Sequence, residues 1–501
     1  MANTFFGLNI GTTGLYAANS WINLTANNIA NEQTKGYSRQ TATQQATTPL
    51  RAYQRYGQIG SGVEVYDVRR IRDEYYDAKY MENQCKYGDW STRAYYLLQM
   101  EDYFADDGES GFTTEFGAFY NGIEELIKDP SNPSARIAML NYAENFLEYM
   151  NNIKINLQNT QADINSEINS EVDHINSLAK EIAVLNKQIN IIELQGANAN
   201  ELRDKRSLLL DELSEVVDVD TNEITYPNGK SEFYVTIAGK SLVNNYDYFQ
   251  LEVVAREDKA DPDDLVGLYD IQWSYGETFN PSASGSIGKL AALIELRDGN
   301  NAVPDMSGYD PSNPDVKAPE LVDFKGVPHY INQIDDFFDK FTARLNEIHA
   351  QGVNLYDEPT ENIPLFVKGD DDVYRVNPEL MADPGKLATS TYGSSNVGAI
   401  DIVDALMDTK YEDTYESGTA EEALASIITE LSIDSKKAQS RETNYTNFQN
   451  LIQNKRLSIM GVDKDEEAMN LVKYQEAYDL SAKVIQVMSE VYDKLINETG
   501  V

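Results

Sequence analysis

At 501 residues the chain is too long for one hydrophobic core, and it predicts roughly three folding units. A hydrophobic fraction of 41% can build them, while 41 basic against 82 acidic residues leave a net charge of −41 that repels nucleic acid and anionic membrane surfaces. The single cysteine, Cys85, excludes an intrachain disulfide and cysteine-based zinc sites.

No apolar run approaches the roughly 18 residues a membrane span needs. The start, MANTFFGLNIGTTGLYAANSW, has neither the basic region nor the unbroken apolar core of a cleavable signal peptide. In chain order, apolar or small residues first recur at Leu8, Gly11, Leu15, Ala18, Ile22, Thr25 and Ile29. Steps of three and four predict a helix that packs along another helix and ends near Gly36. Gly11, Ala18 and Thr25 are small enough to let a partner backbone come close.

Residues 150–195 hold the longest periodic stretch. Ile168, Ile175, Ile182 and Ile189 repeat every seventh position, beside Ile164, Leu178, Leu185 and Ile192, with Glu171 interrupting the second row. This predicts a long bundle or coiled-coil helix, with Asn165, Asn169, Asn176 and Asn186 off its seam. Gly196–Asn200 reads as a turn, and Glu201–Leu213 as the antiparallel partner. Val216–Ile271 changes to strand-like alternation at Phe233–Ile237 and Phe249–Val254, with a turn at Pro227-Asn228-Gly229 and an acidic loop at Ala260–Asp264. Pro304, Pro311, Pro314, Pro319 and Pro328 mark a surface loop at 299–328. A short strand-bearing excursion follows at 356–385, and helices resume at Asn396–Met407 and Ala420–Met460.

The C-terminus repeats the helical stripe. Leu471, Tyr474, Tyr478, Ser481, Ile485, Met488, Tyr492 and Leu495 form one seam, and Ala477, Leu480, Val484, Val487 and Val491 form a second beside it. Such a width calls for several neighbours. Residues 1–60 carry four bases against one acid and residues 463–501 nine acids against four bases, so the ends are of opposite sign. From the residues alone, either the ends pair for assembly or they pack as ordinary amphipathic helices on the chain's own body.

Two segments favour the first. Leu24–Gln40 contains Asn27-Asn28-Ile29-Ala30-Asn31 and Gly36-Tyr37-Ser38-Arg39-Gln40; Asp465–Ile496 contains Asn470-Leu471, Gln475-Glu476-Ala477-Tyr478 and Ser481-Ala482-Lys483. Together they resemble the terminal motifs of the flagellar rod, hook and junction proteins. The helical hairpin, Ser286–Asp298 and Phe341–Leu355 with its Asn346–Gly352 run, resemble the hook–filament junction members of that family. The resemblance implies that the two ends pair as a coiled coil lining the channel of a tubular assembly, disordered until assembly. It further implies export through the flagellar type III channel to an extracellular place in the flagellum. The implied partners are further copies in a helix or ring, the hook protein, the second junction protein and through it flagellin, and an export chaperone near the C-terminal helix. The proline loop departs from the family's more direct connection.

The fold expected is mainly α with an inserted β domain. Residues 1–60 with 463–501 form an inner coiled coil, 61–215 with 286–462 a long antiparallel helical body, and 216–285 a small outer β domain. The expected interface is Leu8, Leu15, Ala18, Ile22 and Ile29 with Leu471, Tyr474, Tyr478, Ile485, Met488, Tyr492 and Leu495. The motif residues carried over are Asn27, Asn28, Ala30, Asn31, Gly36, Tyr37, Ser38, Arg39, Gln475, Ala477, Ser481 and Ala482.

Catalytic chemistry has little to stand on. His174, His329 and His349 share no zinc-ligand spacing, and the last reads as a packing residue. Ser284–Lys289 lacks the glycine and hydroxyl of a phosphate loop, since Ala283 and Leu290 stand there. Asp370–Asp372 and Asp261–Asp264 lack the alternation of a calcium loop. Cys85 has no activating histidine nearby, and the 32 tyrosines suit broad, partly wet subunit contacts. A non-enzymatic structural subunit without cofactor or metal is expected. Another axial protein (the hook protein or the second junction protein), an enzymatic or adhesive insert at 216–290, and a cytosolic coiled-coil scaffold are the alternatives.

Overall fold

A computed structural model describes residues 6–51, 57–104, 111–227, 230–257, 259, 264–281, 285, 287–301, 324–369 and 373–497. The turn residues Asn228 and Gly229, the acidic stretches 260–263 and 370–372, the proline loop from 302 to 323, and Ala283, Ser284 and Ser286 lie outside them. The fold is mainly helical with small β elements. The chain divides into two compact units: Met1–Tyr87 with Asp173–Leu251 and Asn444–Val501, and Gly88–Val172 with Glu252–Thr443.

In chain order come α1 (Phe6–Ala30), β1 (Gln40–Ala46), β2 (Leu50–Arg51), β3 (Gln58–Ile59), β4 (Val63–Arg70), α2 (Glu74–Tyr103), α3 (Phe112–Lys128), α4 (Pro133–Glu193) and α5 (Asn200–Val216). Then follow β5 (Val219–Thr225), β6 (Ser231–Ile237), β7 (Lys240–Asn244), β8 (Asp247–Tyr248), β9 (Leu251–Ala255), β10 (Tyr269–Trp273) and α6 (Lys289–Asp298). The rest is α7 (Val327–His349), β11 (Phe366–Lys368), β12 (Tyr374–Val376), α8 (Pro378–Ala382), α9 (Asp401–Asp408), α10 (Ala420–Met460) and α11 (Lys464–Asn497).

In the first unit α1 and α11 run antiparallel, and β1 pairs with β4 antiparallel from Gln40 opposite Arg70 to Ala46 opposite Val63. The first of these strands, QTATQQA, is polar, and the second, VEVYDVRR, is valine-rich and only partly buried. The four-stranded antiparallel sheet runs β5-β6-β7-β8. In β6, Ser231, Phe233, Val235 and Ile237 face inward, the period of two that a half-buried strand requires.

The second unit is built on an aromatic core. Phe112, Phe116, Phe119 and Phe146 meet one another and Phe341 mostly in tilted and edge contacts, Phe366 joins Phe119 and Phe341, and Phe337 stacks on Phe341. Beside this core Arg136 is wholly buried: Nε donates to Pro130 O at 2.8 Å, Nη1 to Leu387 O at 2.5 Å, and Nη2 to Thr389 Oγ1 at 3.2 Å. Burial lowers its guanidinium to about 10.

Helix α4 shows why its seam and its amides occupy different positions. Ile164, Ile168, Ile175, Ile182 and Ile189 are fully buried. Glu171 breaks the second row because its carboxylate takes Lys289 at 2.7 Å. The amides meet backbone in β segments. Asn176 donates to Leu251 O and accepts from Leu251 N, both at 2.8 Å; Asn190 does the same for Ser231 at 2.6 and 2.9 Å. Asn186 donates to Asn245 O, and Asn165 accepts from Tyr269 N. Asn176 and Asn190 thus each supply a donor and an acceptor to backbone, while Asn186 supplies a donor and Asn165 an acceptor.

Candidate assembly site

The paired termini touch through small residues. A Cβ placed on Gly7 would stand 2.1 Å from Met488 Cε, and one on Gly11 2.8 Å from Ile485 Cγ1. The glycines therefore set how closely the helices approach. Ala18 is buried, while Leu8, Leu15, Ile22 and Ile29 are half-buried. On α11, Leu471, Tyr474, Tyr478, Ser481, Ile485 and Met488 are half-buried and Tyr492 is buried, but Leu495 is 50% exposed. Trp21 stacks on Tyr474 with centroids 4.8 Å apart and donates to Gln44 Oε1 at 3.0 Å. The second row stays open: Leu480, Val484, Val487 and Val491 are 62, 45, 56 and 45% exposed. The stripe on α11 is thus wider than α1 covers.

Below the pair, the N-terminal motif closes a polar hub. The buried Asn28 accepts from Gln40 N at 3.0 Å and from Tyr37 OH at 2.8 Å, and donates to Gln40 O at 3.0 Å. Burial, then Glu201, Asp204 and Glu467, push the Tyr37 hydroxyl far up, so it stays a donor. Asn31 bonds back to Asn27, Gly36 turns the chain at φ +83°, and Ala30 is the exposed last residue of α1. Ser38 donates through N and Oγ to the carboxylate of Asp204 at 2.9 and 2.8 Å.

Arg39 ties the two ends together. Its N–H donates to Met460 O and its carbonyl accepts from Ile71 N, both at 2.7 Å. Its Nε donates to Glu467 at 2.7 Å, and Nη1 and Nη2 to Glu466 at 3.2 and 2.7 Å. Glu467 is buried, and Asn28 also donates to it, at 3.4 Å. Asp463 caps the same helix start by accepting from Asp465 N and Glu466 N.

A second set of charges lies next to this. Arg70 reaches Asp204 at 2.9 Å, Arg72 holds Asp77 at 2.5 Å, and Arg456 holds Asp77 at 2.9 Å and Asp211 at 3.0 Å. Burial and the neighbouring Arg72 lower the Arg70 guanidinium; burial raises the Asp211 carboxyl against the pull of Arg456 and Arg72. Of the carried-over motif, Asn28, Tyr37, Ser38 and Arg39 converge here. Gln475 is exposed, while Ala477, Ser481 and Ala482 are half-buried along α11. Asp204, Arg456 and Glu467 were not singled out in the sequence. Their partners lie 166, 379 and 428 residues away, and no local pattern marks such pairs.

His349 is fully buried, and its Nε2 accepts from Ala388 N at 3.1 Å. His174 faces Glu212 at 3.3 Å near the surface. Among the described residues no cluster of His, Cys, Asp and Glu could hold a metal ion, and no helix is long and apolar enough to cross a membrane.

Residues 453–498, which contain α11, match the family described as flagellar basal body rod FlgEFG protein C-terminal. Residues 97–366, more than half of the chain, match the flagellar hook-associated protein FlgK helical domain, which sets the class as a flagellar protein. The chain belongs to the flagellar hook-associated protein FlgK family. It is 27% identical over 521 aligned residues to flagellar hook-associated protein 1 of Bacillus subtilis (strain 168), covering 100% of this chain and 99% of that one. The same protein of Escherichia coli (strain K12) is 24% identical over 553, covering 98% and 99%. Among solved structures, the flagellar hook junction protein FlgK from Burkholderia pseudomallei aligns with a TM-score of 0.45 at 19% identity, over 58% of this chain and 47% of that one.

Proposed function

We propose that the chain is a structural, non-enzymatic subunit of the bacterial flagellum that polymerises at the hook–filament junction and connects hook to filament. The observation that carries this reading is the open apolar row Leu480, Val484, Val487 and Val491, left beside a seam that α1 already occupies. In a member of the hook-associated family, burial of that row against further copies is the driving force for assembly. Residues 1–60 with 463–501 act as the polymerising part, 61–215 with 286–462 as the helical body, and 216–285 as the insert. The neighbours are the hook protein on one side and the second junction protein, and through it flagellin, on the other. Delivery is by type III export with a chaperone, to a final place outside the cell.

The test is the pair of single variants Leu480→Asp and Val487→Asp. Both positions are solvent-exposed in the isolated chain, so the expected product is a folded monomer with wild-type circular dichroism that does not polymerise and does not restore motility to a deletion strain. Polymerisation of both variants at wild-type concentration would sink the reading.

A further inference from the structure

Within the first unit, the sheet β5-β6-β7-β8 has two faces of different kinds. The inner face is held by helices: Asn190 of α4 grips the backbone of Ser231, and the Arg206 guanidinium of α5 stands 3.7 Å from the Phe233 ring centroid. The alternation of β6 turns Glu232, Tyr234 and Thr236 the other way, where they stay partly exposed.

Strand register assembles a row on that outward face. Asn222 of β5 stands opposite Tyr234 of β6, Tyr234 opposite Asn244 of β7, and Asn244 opposite Asp247 of β8. At about 4.8 Å per strand the row runs for about 14 Å. Asn222, Asn244 and Asp247 are exposed, and their side chains make no hydrogen bond with a described residue. The ring between them is fixed. Glu232 accepts from the Tyr234 hydroxyl at 2.9 Å, from the Tyr226 hydroxyl at 3.1 Å and from Lys230 Nζ at 2.6 Å. Lys230 first, then Tyr234 and Tyr226, hold the Glu232 carboxyl below its ordinary range.

We propose that this outward row binds a neutral oligosaccharide, with the Tyr234 ring against the C–H face of one sugar and Asn222, Asn244 and Asp247 bonded to hydroxyls on either side. A sugar hydroxyl donates and accepts at once, and an amide answers both with its N–H and its C=O. The C–H face of a sugar ring packs on an aromatic face, and Tyr234 is already held in place for it. Charge and desolvation exclude other ligands. Asp247 in the row and the exposed Asp220 beside it repel phosphates and other anions. A cation finds Glu232 already neutralised by Lys230. An apolar protein surface would bury both amides and Asp247 without partners. The site is independent of polymerisation and gives the insert a role of its own.

The experiment is binding of the full-length protein to an immobilised panel of linear oligomers of glucose, galactose, mannose and N-acetylglucosamine. Wild type is expected to bind at least one of them. Asn222→Ala/Asn244→Ala should weaken that binding about tenfold or more, and Tyr234→Ala should abolish it while Tyr234→Phe keeps most of it. All three variants keep wild-type circular dichroism and polymerise like wild type, because the altered side chains face outward. A panel with no ligand below a Kd of about 1 mM overturns the site, as does an Asn222→Ala/Asn244→Ala protein that binds like wild type. Impaired polymerisation of that variant with no sugar bound by wild type would assign the face to a second copy of the chain instead.

Discussion

His349 is a neutral imidazole held where a charge cannot be solvated. Burial lowers its pKa from the ordinary 6.5 to about 4. Between those values the unfolded chain binds the proton and the folded chain does not, so its contribution is fully present above pH 6.5 and is lost as pH falls toward 4. At pH 5 the loss is about 2 kcal/mol. Urea unfolding at pH 7 and pH 5 is expected to show a smaller pH dependence for His349→Gln than for wild type, by about that amount; equal dependence would remove the assignment. Asn190 tests a different cost. Its removal in Asn190→Ala strands both the N–H and the C=O of Ser231, at about 2–3 kcal/mol in urea unfolding. Asn169, whose side chain makes no hydrogen bond with a described residue, is the control, with a change below about 0.5 kcal/mol expected for Asn169→Ala.

At the scale of elements, α11 depends on a residue that is not its own. Its first turn holds Asp465, Glu466 and Glu467, which suits the positive end of a helix dipole. Three acids in one turn still repel each other, and Glu467 is also buried. Arg39 relieves both problems, because its planar fork of donors reaches both carboxylates, Nε to Glu467 and Nη1 and Nη2 to Glu466. Arg39→Ala leaves Glu467 buried without its cation, at about 3–5 kcal/mol. Hydrogen exchange should then show faster amide exchange through residues 464–497 and unchanged protection in the aromatic core of the second unit. Unchanged exchange in α11 would mean that packing on α1 alone holds the helix.

At the scale of the whole molecule, what could be read from the sequence follows the range of each interaction. The seam of α4 and the stripes of α1 and α11 repeat every three or four residues, so their periodicity displays them. Family motifs marked Asn28 and Arg39, although the reason those residues matter lies in Glu467 and Gln40, which the hub brings to them. Strand β1 stayed hidden because QTATQQA is polar, whereas VEVYDVRR in β4 and the Phe112, Phe116, Phe119, Ile123 and Leu126 stripe of α3 carry legible periods. The ion pairs of Arg456 join segments with no common pattern. Net charge was legible at once.

The row of amides on α4 has a further consequence. Asn176 and Asn190 grip main-chain atoms, which every amino acid except proline presents alike. The grip is therefore blind to the identity of the residue held. The strands it anchors are free to exchange their outward side chains without loosening from the helix, which makes this part of the molecule a natural cassette for grafting foreign surface loops onto a fixed frame.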